Sequence, residues 1–129
     1  MLLLEISVGM AQDLQKWRRL NVGAVLGIDI AGDSINNTKN GAYLRLYSTM
    51  MRNGRDSVSP MAFVVGDASK NMVTGEAGAT SEDRTILQSV LGRAATEGSV
   101  PPYIAKSLAN KFKDKANIVS CMFAIHYFF

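Results

Sequence analysis

The chain has 129 residues, which is about the size of one domain. Apolar residues make up 47% and charged residues 19%, so the composition favours a folded core and argues against intrinsic disorder. A single cysteine, Cys121, excludes an internal disulfide and makes a reducing compartment the expectation. No apolar run approaches the roughly 20 residues that span a bilayer, so a membrane protein is not expected. The net charge of +3 permits a polyanionic partner without requiring one.

The first part of the chain predicts a strand, a helix and a second strand. Residues 2–8 are mostly apolar and stop at Gly9, as in a short buried strand. Apolar side chains then recur at helical spacing and predict a helix over residues 10–21. The run 23–30 is apolar on both faces, which is typical of a parallel strand covered by helices.

The middle of the chain predicts a second helix and a third strand. A helix is expected to start near Asp33 and to end near residues 53–54, with an apolar stripe along one face. Gly41 falls inside this helix and weakens its middle, because glycine costs about 1 kcal/mol relative to alanine. Residues 61–65 are continuously apolar and predict the third strand.

Two further helices and a fourth strand complete the pattern. Helical stripes are expected over residues 80–94 and 101–112, each opening on capping or proline residues, and residues 118–124 predict a strand. Strands separated by helices are typical of an α/β fold with a parallel sheet of about four strands. Right-handed crossovers would place helices on both faces of this sheet, in one domain over residues 1–129.

Small and acidic residues come after three successive strands, where parallel sheets bind ligands. The turn after the first strand contains Ser7 and Gly9, which allow close approach to the backbone. Asp29 ends the second strand, where a carboxylate can accept both hydroxyls of a ribose. Asp67 comes after the third strand and could accept a hydrogen bond from an exocyclic amine such as that of adenine. Each residue alone also suits a turn, but their ordered recurrence favours an adenosine-containing ligand.

Four segments of the chain resemble motifs of mRNA cap guanine-N7 methyltransferases. Residues 5–17, EISVGMAQDLQKW, resemble the family's first cofactor motif, D-L-G/A-x-G-K-G-G-D-L-x-K-W. Residues 27–35, GIDIAGDSI, resemble G-I-D-I-A-x-x-S-I, and residues 66–70, GDASK, resemble the D-S/A-S-K turn. Residues 120–129, SCMFAIHYFF, are similar to S-C-Q-F-A-x-H-Y-F-F. The pattern looks like that of the methyltransferase domains of large DNA virus capping enzymes.

The resemblance implies a Rossmann-like methyltransferase fold, S-adenosyl-L-methionine as cofactor and the guanosine cap of RNA as substrate. It implies no acid–base residue and no metal, because guanine N7 is already nucleophilic and needs positioning in a complementary field. Its cofactor-binding residues would be Ser7 and Gly9 for the methionine part, Asp29 for the ribose, Asp67 and Ala68 for adenine, Met122 and Tyr127 near the sulfonium, and also Asp13 and Ile30. Its cap-binding residues would be Met10, His126 and Tyr127.

The chain departs from the family pattern within these motifs. Met10 stands in place of a lysine, Ala11 and Gln12 in place of glycines, and Met122 in place of a glutamine. These changes remove a cation, backbone freedom and an amide group. An alternative is therefore a non-catalytic, degenerate methyltransferase-like module of a capping complex, and a further one is a small-molecule methyltransferase.

The two ends of the chain are apolar, and the family's sheet has seven strands. The expectation is therefore an incomplete methyltransferase domain, its cofactor-binding half, whose exposed sheet edge favours self-association. Capped RNA is the expected partner, with no membrane. The expected location is intracellular, in the nucleus or cytoplasm, or in a viral factory or virion for a viral protein.

Overall fold

A computed structural model describes residues 2–92, 100–113 and 116–121. In these ranges four parallel strands form one sheet in the order β3-β2-β1-β4, with bounds β1 Leu2–Ile6, β2 Ala24–Asp29, β3 Met61–Val65 and β4 Ile118–Ser120. The α-helices in the same ranges are α1 Leu14–Leu20, α2 Gly32–Asn36, α3 Ala42–Asn53, α4 Ser81–Val90 and α5 Pro102–Ser107, and a 3-10 helix spans Arg55–Ser57. The prediction of an α/β fold of Rossmann-like type with a parallel sheet is confirmed.

The core consists of two apolar layers, one on each face of the sheet. Successive side chains of a strand point to opposite faces, so Leu26 and Ile28 of β2 pack in one cluster with Leu87 of α4. Val25, next to Leu26 in sequence, packs in the other cluster with Leu46 of α3. All five side chains are fully buried. Helices α1 to α3 therefore cover one face of the sheet, and α4 and α5 cover the other.

The prediction that the first helix begins at Met10 is wrong. Helix α1 begins at Leu14, because φ is positive at Ser7 (63°), Gly9 (59°) and Ala11 (56°). An α-helix requires negative φ at every residue. The segment between β1 and α1 is therefore a loop at the end of the sheet, and Met10 belongs to that loop.

The prediction of one helix through Gly41 is also wrong, since α2 ends at Asn36 and α3 begins at Ala42. The side chain of Asn37 accepts the backbone N–H of Lys39 at 2.8 Å, which closes a turn between the two helices. A Cβ atom at Gly41 would lie 2.6 Å from the backbone nitrogen and oxygen of Asn37. Gly41 therefore permits the close approach of two backbone segments at the helix boundary.

The later elements are shorter than predicted. Helix α5 ends at Ser107, yet Leu108 and Phe112 remain buried in the same core cluster because the chain continues as turns over them. Helix α4 ends at Val90, and the predicted stripe beyond Gly92 lies outside the described residues. The part of the predicted fourth strand beyond residue 121 also lies outside them. None of the helices in the described ranges has the length and apolarity that a bilayer crossing demands.

Side chains from three helices cap the free edge of β3. The outward-facing amides of β3 each donate a hydrogen bond of 3.0 Å, in the pairs Met61 to Tyr103 Oη, Phe63 to Tyr43 Oη and Val65 to Asp83 Oδ1. The Tyr43 hydroxyl also donates to the carbonyl of Phe63 at 2.6 Å. An uncapped edge strand invites pairing with another chain. Self-association through a sheet edge stays a prediction, and the edge of β3 is not available for it.

Replacing Tyr43 by phenylalanine is expected to lower the free energy of unfolding by about 1–3 kcal/mol. The ring is retained, but the N–H and C=O of Phe63 both lose their partner at a part-buried site. Urea unfolding followed by circular dichroism measures the change. Tyr47→Phe is the control, since the Tyr47 side chain is 51% exposed and its change should stay within about 0.5 kcal/mol. Equal effects of the two variants would contradict the capping role.

Candidate functional site

The turns after β1, β2 and β3 meet at one end of the sheet. The parallel register places Ile6 opposite Ile28 and Asp29 opposite Val65, so the three strands end together. The amide of Val8 donates to the carbonyl of Ile28 at 3.0 Å, and that of Gly66 donates to the carbonyl of Asp29 at 2.9 Å. The small and acidic residues that follow the three strands in sequence are therefore close to one another in space.

Asp29 is held at the centre of this end by two backbone amides. Its Oδ2 accepts the N–H of Gly9 at 2.8 Å, and its Oδ1 accepts the N–H of Ala31 at 2.8 Å. Each carboxylate oxygen has two lone pairs, so one acceptor position on each oxygen is left over. The half-buried carboxylate is thus fixed in orientation and can accept two more hydrogen bonds.

The loop between β1 and α1 adopts left-handed backbone conformations at alternate residues. Gly9 does so at no steric cost, and a Cβ atom there would meet nothing within 4 Å, so the space beside Gly9 is open. Ser7 and Ala11 have side chains, and positive φ costs roughly 1–2 kcal/mol at each of them. Ala11 is fully buried, and its amide donates to the carbonyl of Val8 at 3.1 Å, which closes the loop.

Arg45 of α3 is a site residue that the sequence reasoning missed. Its Nε donates to the carbonyl oxygen of Met10 at 2.9 Å and so ties the loop to the helix. The guanidinium therefore lies beside Met10, where the methyltransferase motif that the sequence resembles has a lysine. The sequence shows only that a basic residue lies on a helix expected to pack on the sheet. No local pattern predicts that this residue contacts residue 10, which is 35 positions away.

Asp13 and Ile30 lie on the surface of this region. Asp13 precedes α1 and pairs with Lys16, whose Nζ lies 3.2 Å from Asp13 Oδ1. Such an exposed pair contributes about 0–1 kcal/mol. Ile30 comes directly after Asp29 and is 75% exposed, so it presents an apolar surface beside the carboxylate.

Asp67 lies in a loop that folds back onto the end of β3. Its amide donates to the carbonyl of Ala77 at 2.8 Å, and Gly66 forms an isolated bridge with Gly78. Its Oδ1 accepts both the hydroxyl of Ser69 at 2.6 Å and the amide of Ser69 at 2.9 Å. These bonds hold the pKa of Asp67 below its usual value. Ala68 is partly buried against the core below the loop.

Replacing Ser69 by alanine is expected to raise the pKa of Asp67 toward its usual value, because the hydroxyl hydrogen bond is the largest cause of the depression. An acid with a depressed pKa contributes stability above its unfolded pKa, and the contribution is lost as pH falls through the folded pKa. In the variant, the interval between the folded and the unfolded pKa of Asp67, over which this contribution to stability is lost, should be narrower. An NMR titration of the Asp67 carboxyl carbon measures the shift, with Ser48→Ala as the control. An unchanged pKa in Ser69→Ala would contradict the assignment.

The predictions for Met122, His126 and Tyr127 fall outside the described residues, and these roles stay predictions. The structure brings together Ser7, Gly9, Met10 and Asp29 with the loop that carries Asp67 and Ala68. In the described ranges, no three His, Cys, Asp or Glu side chains gather as a metal site requires.

The assembled groups are backbone amides, two carboxylates and a guanidinium at the carboxyl end of a parallel sheet. They can bind a polar ligand that carries hydroxyl and amine groups. Comparisons of the chain with protein-family models, with curated proteins and with solved structures gave no match.

Proposed function

We propose that this chain is an S-adenosyl-L-methionine-dependent mRNA cap guanine-N7 methyltransferase, or its cofactor-binding part. The observation that carries the proposal is the 2.8 Å hydrogen bond from the Gly9 amide to the Asp29 carboxylate. It joins the first two motifs of the resemblance at the end of the sheet where α/β proteins bind nucleotides.

The order of the turns suits a nucleoside that lies across the strand ends. Neighbouring strands are about 4.8 Å apart, so the turns after β1, β2 and β3 span roughly 10 Å. The two free acceptor positions of Asp29 would receive the ribose hydroxyls, and Asp67 would receive the exocyclic amine of adenine through the oxygen that Ser69 does not use. The open space beside Gly9 would accommodate the methionine part. Exposed Ile30 would cover an apolar face of the bound nucleoside.

When bound, S-adenosyl-L-methionine supplies an electrophilic methyl group. The chain's own contribution is to position the reactants, since guanine N7 attacks without first losing a proton. The amides of Gly9 and Ala31 hold the Asp29 carboxylate in one orientation, and the loop that contains Gly9 is closed by the bond between Ala11 and Val8. Because these groups are already fixed, less conformational entropy of the loop and carboxylate is lost when the cofactor binds.

A cationic depression beside the loop supports an RNA substrate. Lys39, Arg45 and Arg52 line a cavity of about 240 Å³ between α1 and α3, and no carboxylate is among its described lining residues. Within the described ranges Arg45 contacts the loop through Nε, so its terminal nitrogens can bind a phosphate. Clustered cations of this kind bind the RNA backbone through its charge. In this proposal they would take the place of the lysine that the resembled motif has at the position of Met10.

Calorimetry with S-adenosylhomocysteine tests the cofactor part of the proposal. Saturable binding by the folded protein is the expected result, and no detectable binding at millimolar ligand would overturn it. Transfer of a labelled methyl group tests the substrate, with capped RNA compared against the same RNA carrying a 5′-triphosphate.

The calorimetry and the transfer assay, with free nucleosides added as a third acceptor, discriminate between the functions through three outcomes. Methylation of capped RNA supports the proposal. Binding of the cofactor product without any transfer favours the degenerate, non-catalytic module of a capping complex, for which the strained non-glycine loop residue Ala11 is the supporting observation. Transfer to free nucleosides in preference to capped RNA favours a small-molecule methyltransferase.

A further inference from the structure

A second cavity lies along the capped edge of β3, away from the loop that carries Gly9. It has a volume of about 590 Å³, within the range of small-molecule pockets. Helix α3 forms one side of it, and α4 and α5 form the other, so it wraps around the strand edge. Its polar and aromatic lining includes Tyr43, Tyr47, Glu82, Asp83 and Tyr103.

Tyrosine rings form the wall of this cavity. Tyr43 and Tyr47 are stacked, with ring centroids 6.1 Å apart and planes inclined by 20°. Phe63 meets Tyr43 edge-on at 5.2 Å, which fixes the position of the inner ring. Because Tyr47 is 51% exposed, the outer ring is available to a ligand at the mouth of the cavity. Aromatic faces attract cations through the ring quadrupole.

The charge of the cavity is negative. Glu82 and Asp83 are among its described lining residues, and no lysine, arginine or histidine is among them. Burial raises the pKa of Tyr43 above its usual range, and the charges of Asp83 and Glu82 raise it further, so both carboxylates act on the tyrosine wall. This local charge contrasts with the net charge of +3 on the whole chain.

The carboxylates of Asp83 and Glu82 differ in the hydrogen bonds that they already accept from the protein. Asp83 accepts the Val65 amide through Oδ1 at 3.0 Å and the Thr80 hydroxyl through Oδ2 at 2.7 Å. It therefore holds the strand edge and the start of α4. Glu82 lies on the exposed first turn of α4 and is the carboxylate that can pair with a ligand.

We propose that this cavity binds an alkyl guanidinium group, the side-chain chemistry of arginine. A guanidinium is planar, stacks on aromatic faces and donates two parallel hydrogen bonds to one carboxylate. The stacked tyrosines and Glu82 line the same cavity and offer both partners. A lysine ammonium is more strongly hydrated and lacks the planar face, so it is the weaker ligand. The inference does not depend on the methyltransferase proposal.

Titration with N-acetyl-arginine amide, followed by the NMR signals of Tyr47, tests the proposal. Saturable binding with a dissociation constant on the order of a millimolar is expected. N-acetyl-citrulline amide, which has the same shape without the charge, should bind at least about tenfold more weakly. No saturable binding of the arginine probe, or equal binding of the citrulline probe, would overturn the proposal. Free L-arginine distinguishes the sources: tighter binding than the blocked probe indicates a small molecule, and weaker binding indicates a side chain of a partner protein.

A pair of matched variants places the site. Glu82→Gln should weaken binding of the arginine probe about tenfold. Glu76→Gln removes the same charge from an exposed position in the loop before α4 and should leave binding unchanged. Circular dichroism establishes that both variants fold. Equal affinities of the two variants would overturn the assignment to this cavity, and Tyr47→Ala, at an exposed ring, provides a second test by loss of binding.

Discussion

Replacing Asp29 by alanine is expected to weaken binding of S-adenosylhomocysteine by about 100-fold or more. Two hydrogen bonds from ribose hydroxyls to a carboxylate would be lost, each worth roughly 1.5 kcal/mol or more. The amides of Gly9 and Ala31 also lose their acceptor, so the free energy of unfolding should fall by about 1–3 kcal/mol. Calorimetry and urea unfolding measure the two effects separately.

Two further variants separate the ligand effect from the fold. Asp29→Asn keeps the shape and one acceptor oxygen, and it should still lower the affinity by at least about tenfold. Asp56→Ala removes the same charge from an exposed position between α3 and β3 and should change neither quantity. If Asp29→Asn folds and binds S-adenosylhomocysteine as tightly as the unchanged chain, Asp29 is not the ribose acceptor.

The sheet could be predicted from the sequence because its strands are continuous apolar runs. In β2 and β3 every residue but the last is buried, and apolar runs between helical stripes are typical of such parallel strands. The proximity of Gly9 to Asp29 also agrees with general topology, since parallel strands end at one edge. The turns after the strands can therefore be assigned to one end of the sheet from residue order alone.

The features that escaped prediction are contacts between distant segments or unusual backbone conformations. Positive φ at Ser7 and Ala11 has no signature in residue type, so the apolar period places the start of α1 too early. The caps on β3 join residues 20 and 42 positions apart, Tyr43 to Phe63 and Tyr103 to Met61. The contact of Arg45 with residue 10 is of the same kind. Such contacts arise from packing of the whole chain and leave no local period.

Replacing Gly66 by alanine is expected to lower the free energy of unfolding by about 2–3 kcal/mol. A Cβ atom there would overlap the carbonyl oxygen of Ala77, and it would lie 3.1 Å from Cδ1 of Ile28 in the core. Backbone rather than a flexible side chain blocks the space, so the loop must move. The same carbonyl accepts the amide of Asp67 at 2.8 Å, and its displacement should also weaken binding of S-adenosylhomocysteine.

Gly32→Ala is the matched control for Gly66→Ala. A Cβ atom at Gly32 would meet Val65 Cγ1 at 3.5 Å, an ordinary contact, and the residue opens α2. This change should be neutral or should stabilise the protein by at most about 1 kcal/mol. A Gly66→Ala protein as stable as Gly32→Ala would show that the loop after β3 does not close against the sheet. In that case nothing would hold Asp67 at the strand ends, and its assignment to the site would be wrong. The contact between Gly9 and Asp29 would not be affected by this result.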